Sequence, residues 1–100
     1  PLFLVKGKTL NIIIAGAGKV GFNLAKTLCI GHNVIIIDKN RDALNRISES
    51  LDIFAFFGDI KNPLTYENFS DSDIDLFIAV TNSDDANIIS SLVIDSVLKV

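Results

Sequence analysis

Six residues, Gly16-Ala17-Gly18-Lys19-Val20-Gly21, have the types and spacing to hold a phosphate. In a GxGxxG pattern each glycine answers its own steric demand: the first permits a tight turn, the second lets a pyrophosphate approach the backbone, and the third lets helix and strand pack closely. Backbone amides at the start of the helix that follows, at the positive end of its dipole, face the anion without needing a side-chain charge. The pattern alone is weak, because chance produces it; its weight comes from Asp38. That carboxylate lies 22 residues after Gly16, close to the roughly 20 at which an acidic residue accepts hydrogen bonds from the adenosine ribose hydroxyls. It would also repel a 2′-phosphate, which favours NAD-type or adenine nucleotides over NADP, while Lys39 and Arg41 nearby act in the opposite sense. Lys19 has two readings, an ammonium reaching a phosphate and a solvated lysine at an exposed helix end.

Other polar residues gather where apolar runs stop. Gly58-Asp59 closes one such run and Thr81-Asn82 another, and ligands of open α/β sheets sit at the carboxyl ends of strands. Asp59 is open to a second reading as a turn or helix cap, and Thr81, Asn82 and Asn87 to one as caps of the helix that follows. No catalytic set emerges. The sole histidine, His32, follows Gly31 in a turn and is assigned a structural role, and Cys29 is assigned to packing at a helix end. The acidic run at 70–75 lacks the glycine and closing glutamate of a calcium loop, so it is taken as solvated and no metal site is expected.

These residues need elements to position them, and short apolar runs alternating with helix-period segments predict a parallel α/β layered fold. Ile12, Ile13 and Ile14 form a strand apolar on both faces, as for a central strand covered above and below. From Lys19 to Cys29, Val20, Leu24 and Leu28 recur every four positions, with Gly21 and Ala25 beside them giving a small-residue stripe for close packing on the sheet, which predicts the first helix. "GHN" at 31–33 ends it, and 34–37 is a second buried strand closed by Asp38. Ala43, Leu44, Ile47 and Leu51 predict a helix over 41–51, "IFAFF" a strand over 53–57, and Asn62-Pro63 the start of a short helix over 63–69. "DLFIAV" at 75–80 is the fourth strand. Ser83 caps a last helix with Asp84 and Asp85 at its positive end and Ile89, Val93 and Val97 on its buried face.

The chain has 100 residues, 49% of them hydrophobic, which suits one domain with a real core. A net charge of −3 and a pI near 4.8 argue against nucleic acid as partner, since phosphate backbones are met by clustered Lys and Arg. A single cysteine excludes an intrachain disulfide and fits a reducing compartment. Apolar runs of a few residues fall far short of the roughly 20 that span a bilayer.

"NIIIAGAGKVG", "VIIIDKNRDAL", "FGDIKNP" and "LFIAVTNSDDANIISSL" together resemble the nucleotide-binding domain of Trk-type potassium-uptake regulatory subunits, the TrkA-N, RCK or KTN domain, over residues 11–97. The pairing of "GD" after the third strand with "AVTNSDDANI" after the fourth is the more specific part. The resemblance implies a Rossmann-like three-layer sandwich with strand order 3-2-1-4. It implies a regulatory activity without catalysis: NAD(H) or ATP/ADP binds, and a homodimer or ring on the cytoplasmic face couples nucleotide state to a potassium-translocating membrane subunit or channel. By the same resemblance Gly16, Ala17, Gly18, Lys19 and Val20 hold the phosphates, Asp38 with Lys39 beside it the ribose, Asp59 and Ile60 the adenine edge, and Thr81 the far ribose or phosphate. Lys19 stands where some relatives carry an arginine toward a terminal phosphate.

Residues 1–100 are therefore expected to be one Rossmann-type domain cut before a fifth strand, hence a fragment. The full dinucleotide fold has six strands, and Leu76, Ile78 and Val80 would lie on an apolar edge that "PLFLV" or another chain would cover. The competing function is the cofactor half of an NAD-dependent oxidoreductase. That reading needs a proton donor or acceptor beside the nicotinamide, and the chain offers only His32 in a turn and Tyr66 in a short helix.

Overall fold

β1 (Asn11–Ala15) is the strand around which the other elements are arranged. Ile12, Ile13 and Ile14 are fully buried, and burying each contributes about 2–3 kcal/mol relative to leaving it in water. A run apolar at every position cannot keep one face wet, so layers must close over both. The structure, a computed structural model, describes residues 9–80. Within them β1 is followed by α1 (Lys19–Leu28), β2 (Asn33–Asp38), α2 (Arg41–Ser50), β3 (Phe54–Phe57), α3 (Pro63–Glu67) and β4 (Leu76–Ala79). The sheet is parallel throughout, in the order β3-β2-β1-β4, as expected for a Rossmann-like three-layer sandwich. The helix predicted after Ser83 and the segment "PLFLV" lie outside the described residues.

The pleat divides the apolar runs between two cores. Ile12, Ile14, Val34 and Ile36 face one side and pack with Ala25 and Leu28 of α1 and Ala43, Leu44 and Ile47 of α2. Ile13 and Ile37 face the other and pack with Tyr66 of α3 and with Phe69. Register sets neighbouring strands' residues side by side: Ile13 lies opposite Ile35 on one side and Phe77 on the other. On the second face the Tyr66 ring meets Phe77 edge-on at 5.9 Å, and its hydroxyl donates to the Ile60 carbonyl at 2.6 Å. The Leu76, Ile78 and Val80 side chains are half-buried against the first core.

α1 meets the sheet through the expected small residues Gly21 and Ala25, and one member of its four-residue apolar spacing, Val20, is turned outward. Gly21, Ala25 and Leu28 are its buried residues, while Val20 is 59% exposed. The cause is steric. A Cβ on Gly21 would overlap the carbonyl oxygen of Gly16, so the helix approaches the end of β1 through its one residue without a side chain. That approach rolls Val20 outward. Gly16 has φ 121°, a conformation that costs a side-chain-bearing residue energy.

Loops and termini show where the polar groups went. α1 ends one residue earlier than predicted, with Cys29 as its C-cap, and α3 ends at Glu67 with Asn68 closing it. His32 is buried, and its Nδ1 accepts from the Leu10 N–H at 2.9 Å, pinning the chain just before β1. The acidic run is exposed apart from Ile74, yet its last carboxylate is used: Asp75 Oδ2 accepts from the Asn11 N–H at 2.8 Å. No helix of the described residues is long and apolar enough to cross a membrane.

Two stability outcomes follow from this packing. Ile13→Ala should lower unfolding free energy by about 2–5 kcal/mol, whereas Ile30→Ala, at a residue 86% exposed, should change it by less than about 0.5 kcal/mol; urea denaturation checks both. Gly21→Ala should cost about 1–3 kcal/mol through overpacking, although alanine is the better helix former.

Candidate functional site

The carboxyl end of β1 is where backbone donors are left over. Gly16 N–H donates to the Ile37 carbonyl at 2.8 Å, and Phe22 N–H closes the first turn of α1 on the Gly18 carbonyl at 2.8 Å. Gly18 is the N-cap of α1. It carries no capping side chain, and no acidic residue sits in the first turn. The other helices are built otherwise: Asn40 Oδ1 accepts from the Ala43 N–H at 3.1 Å at the start of α2, and Asn62 Oδ1 from the Leu64 N–H at 3.0 Å at the start of α3. A helix leaves its first amides without intrahelical partners, and among the three helices of the described residues α1 alone has no side-chain acceptor for them. The unmet amides and the dipole together suit an anion.

A cavity of about 380 Å³ opens at this point. Gly16, Gly18, Lys19 and Val20 line it from the turn, Asp38 and Asn40 from the end of β2, Ala43 and Arg46 from α2, and Val80 from beyond β4. A Cβ built on Gly18 would meet nothing within 4 Å. The second glycine is therefore not needed for folding contacts within the described residues, and the space beside it is open to a ligand.

Asp38 has work to do before any ligand arrives. Its Oδ2 accepts from the Ala17 N–H at 2.8 Å and its Oδ1 from the Asn40 N–H at 2.9 Å. One carboxylate thus joins the glycine turn to the start of the β2–α2 loop. An ionised carboxylate has about four lone-pair positions, so two such bonds leave acceptor capacity for ribose hydroxyls. Lys39 is exposed beside it and does not line the cavity. Arg41 is turned away, its guanidinium 3.9 Å from the centre of the Phe57 ring on β3.

Asp59 and Ile60 sit past the end of β3, outside that cavity lining. Asp59 Oδ1 accepts from the Lys61 N–H at 2.9 Å and its carbonyl from the Thr65 hydroxyl at 2.6 Å, so the turn-cap reading describes its contacts here. The Ile60 carbonyl takes the Tyr66 hydroxyl. Thr81, Asn82 and Asn87 lie outside the described residues. Four lining residues were missed from sequence, the apolar Ala43 and Val80 and the polar Asn40 and Arg46. Asn40 carried a readable signal, an Asn immediately before a helix-period segment. Arg46 carried none, since an arginine on a polar helix face looks like any solvated charge.

Comparison with known proteins gives the same direction. A family model described as the TrkA-N domain matches residues 12–100. A Trk system potassium uptake protein TrkA homolog from Archaeoglobus fulgidus is 41% identical over 83 residues, covering 83% of this chain and 19% of that protein. A Trk system potassium uptake protein TrkA homolog from Pyrococcus abyssi is 39% identical over 82 residues, 81% of this chain and 36% of that one. The Trk system potassium uptake protein TrkA of Vibrio alginolyticus is 36% identical over 80 residues, 78% of this chain and 17% of that protein. The chain spans well under half the length of these relatives. With a match that runs from β1 through the glycine turn to residue 100, this chain belongs to the TrkA-N family.

Proposed function

We propose that the chain is the nucleotide-sensing domain of a regulatory subunit of a potassium-uptake system. It binds NAD(H) or ATP/ADP at the glycine turn, acts as a homodimer or higher ring, and passes nucleotide state to a potassium-translocating membrane subunit from the cytoplasmic side. Family membership supports the potassium context, because the relatives that match are named as Trk potassium uptake proteins. The observation that carries the nucleotide is the uncapped start of α1, facing a cavity that also holds Asp38. Phosphates would lie on the Gly18, Lys19 and Val20 amides, with the Lys19 ammonium alongside. Ribose hydroxyls would donate to Asp38. Lys39, Asp59, Ile60 and Thr81 complete the proposed contact set around the ribose and adenine.

A sensor reading also suits what stands away from the cavity. His32 is buried at the opposite end of the strands with Nδ1 committed to Leu10, and the Tyr66 hydroxyl is committed to Ile60. The cofactor half of an oxidoreductase would need a proton-transfer group beside the ligand, and neither residue lines the cavity. Regulation asks for something different: a ligand whose affinity differs between two arrangements of the assembly.

Calorimetric titration with NADH, NAD+, ADP and ATP tests the proposal, and absence of binding by all four would sink it. Hydride transfer from NADH to a small substrate would favour the oxidoreductase instead. Because Asp38→Ala would also release the Ala17 and Asn40 amides, the ribose contact is better probed through the ligand. A 2′-deoxy nucleotide should bind about ten- to hundredfold more weakly, the value of a hydrogen bond to a charged group. Gly18→Ala should leave folding within about 1 kcal/mol of the original, the cost of a poorer cap residue, yet weaken nucleotide binding at least about tenfold by filling the space a pyrophosphate needs. Equal affinity of the variant and the original protein would place the phosphates elsewhere.

A further inference from the structure

Arg46 is the feature of the site that the glycine motif does not account for. It lies on α2, a second crossover helix, yet it lines both the cavity at Asp38 and an adjoining cavity of about 500 Å³ beside Lys19 and Phe22. The two helices share one face of the sheet, so the groove between the start of α1 and the Ala43–Ser50 side of α2 leads to the uncapped amides of α1. Arg46 has no carboxylate within ion-pair distance among the described residues. Glu49, one turn on, lines the adjoining cavity without pairing with it. The other cation at the start of α2, Arg41, is occupied by the Phe57 ring. Lys19 and Arg46 are therefore the two cations of the cavity lining, one from each helix, on a chain whose overall charge is −3.

Resting on the nucleotide reading above, we infer that Arg46 is a second phosphate-binding residue, which clamps the di- or triphosphate of the nucleotide against the Gly18–Val20 amides from the α2 side. A guanidinium is planar and always charged and offers a fork of donors matched to two phosphate oxygens, which the single ammonium of Lys19 cannot do. The site so built takes nucleotides by their phosphate chain as well as by their ribose. It also makes the bound ligand a bridge between α1 and α2, because the amides belong to one helix and the guanidinium to the other.

The test compares the protein with its Arg46→Gln and Arg46→Lys variants in titrations with ADP, ATP and NADH, with adenosine measured by competition as the phosphate-free arm and NADPH as the 2′-phosphate arm. Arg46 is exposed, so urea midpoints of the variants should stay where they are. Expected is a loss of about ten- to hundredfold for ADP, ATP and NADH in Arg46→Gln, a smaller loss in Arg46→Lys, and an unchanged adenosine constant. The inference is overturned by a Gln variant that binds the phosphorylated nucleotides as the original does, by an equal loss for adenosine, or by a loss confined to NADPH. Failure of the original protein to bind any nucleotide removes the reading it rests on, and with it the inference. Binding by the original with no change in the variants removes Arg46 alone.

Discussion

Full burial of β1 on both faces decides where anything polar can be. Ile12, Ile13 and Ile14 admit no water, and a polar side chain placed among them without a partner would cost on the order of 1–3 kcal/mol. Chemistry is thereby displaced to the strand ends. At the amino end two backbone donors find side-chain acceptors: His32 Nδ1 takes the Leu10 amide, leaving its buried Nε2 without a partner among the described residues, and Asp75 takes the amide of Asn11. At the carboxyl end the chain must turn at once into a helix lying on the strand it has just left. Gly16 with its positive φ makes that turn, and Gly21 leaves room for the Gly16 carbonyl. The approach is tight enough that no side chain intervenes to cap α1. An anion site is what remains when a helix start is pressed against a strand end and given no acceptor of its own.

Asp38 shows how one group that holds the structure could also serve recognition. Its two oxygens hold Ala17 and Asn40, and Asn40 in turn caps α2 through Ala43. From the glycine turn to the second helix there is a continuous chain of hydrogen bonds, each about 3 Å long. A ribose bound to the remaining lone pairs would join that chain rather than start one. The carboxylate is already oriented, so no side-chain ordering has to accompany binding. The same arrangement means that removing Asp38 disturbs the turn and the ligand contact together, and a loss of affinity in such a variant would not separate them.

Much of this was legible from sequence because its physical causes are local. A strand buried on both faces must be a continuous apolar run, which made Ile12 to Ile14 and Ile35 to Ile37 readable, and the Asn62-Pro63 pair marked the start of α3 to the residue. The small-residue face of α1, Gly21 and Ala25, was readable as well, but the outward turn of Val20 was not. Val20, Leu24 and Leu28 have the spacing of a core stripe, and only the contact between Gly21 and Gly16, residues brought together by the turn, puts Val20 outside. Arg46 was hidden for the same reason: its place in the cavity lining depends on which way α2 faces across a groove to α1, and nothing within one helix period records that. Asp59 was readable as either of two things. Its carboxylate in the fold meets the Lys61 amide, the local alternative that the sequence already allowed.

The placement of the cavity bears on what kind of signal a bound nucleotide could give. Its lining comes from two crossover units, β1–α1 and β2–α2, packed against one face of a rigid sheet. Strand register is fixed by paired backbones and by a two-sided core, so the sheet has little freedom to report a ligand. The helices laid on it, α1 through Ala25 and Leu28 and α2 through Ala43, Leu44 and Ile47, are the elements that a ligand in the cavity would touch from both sides. A ligand held at once by the amides of α1 and by Arg46 of α2 would favour one relative setting of those helices. Its leverage is limited to the difference in affinity between the two settings, and about 1.4 kcal/mol of such difference shifts their ratio tenfold. An enzyme would direct binding energy at a transition state. With the cations on two helices and His32 and Tyr66 outside the lining, a nucleotide held as proposed would direct it at the distance between those helices.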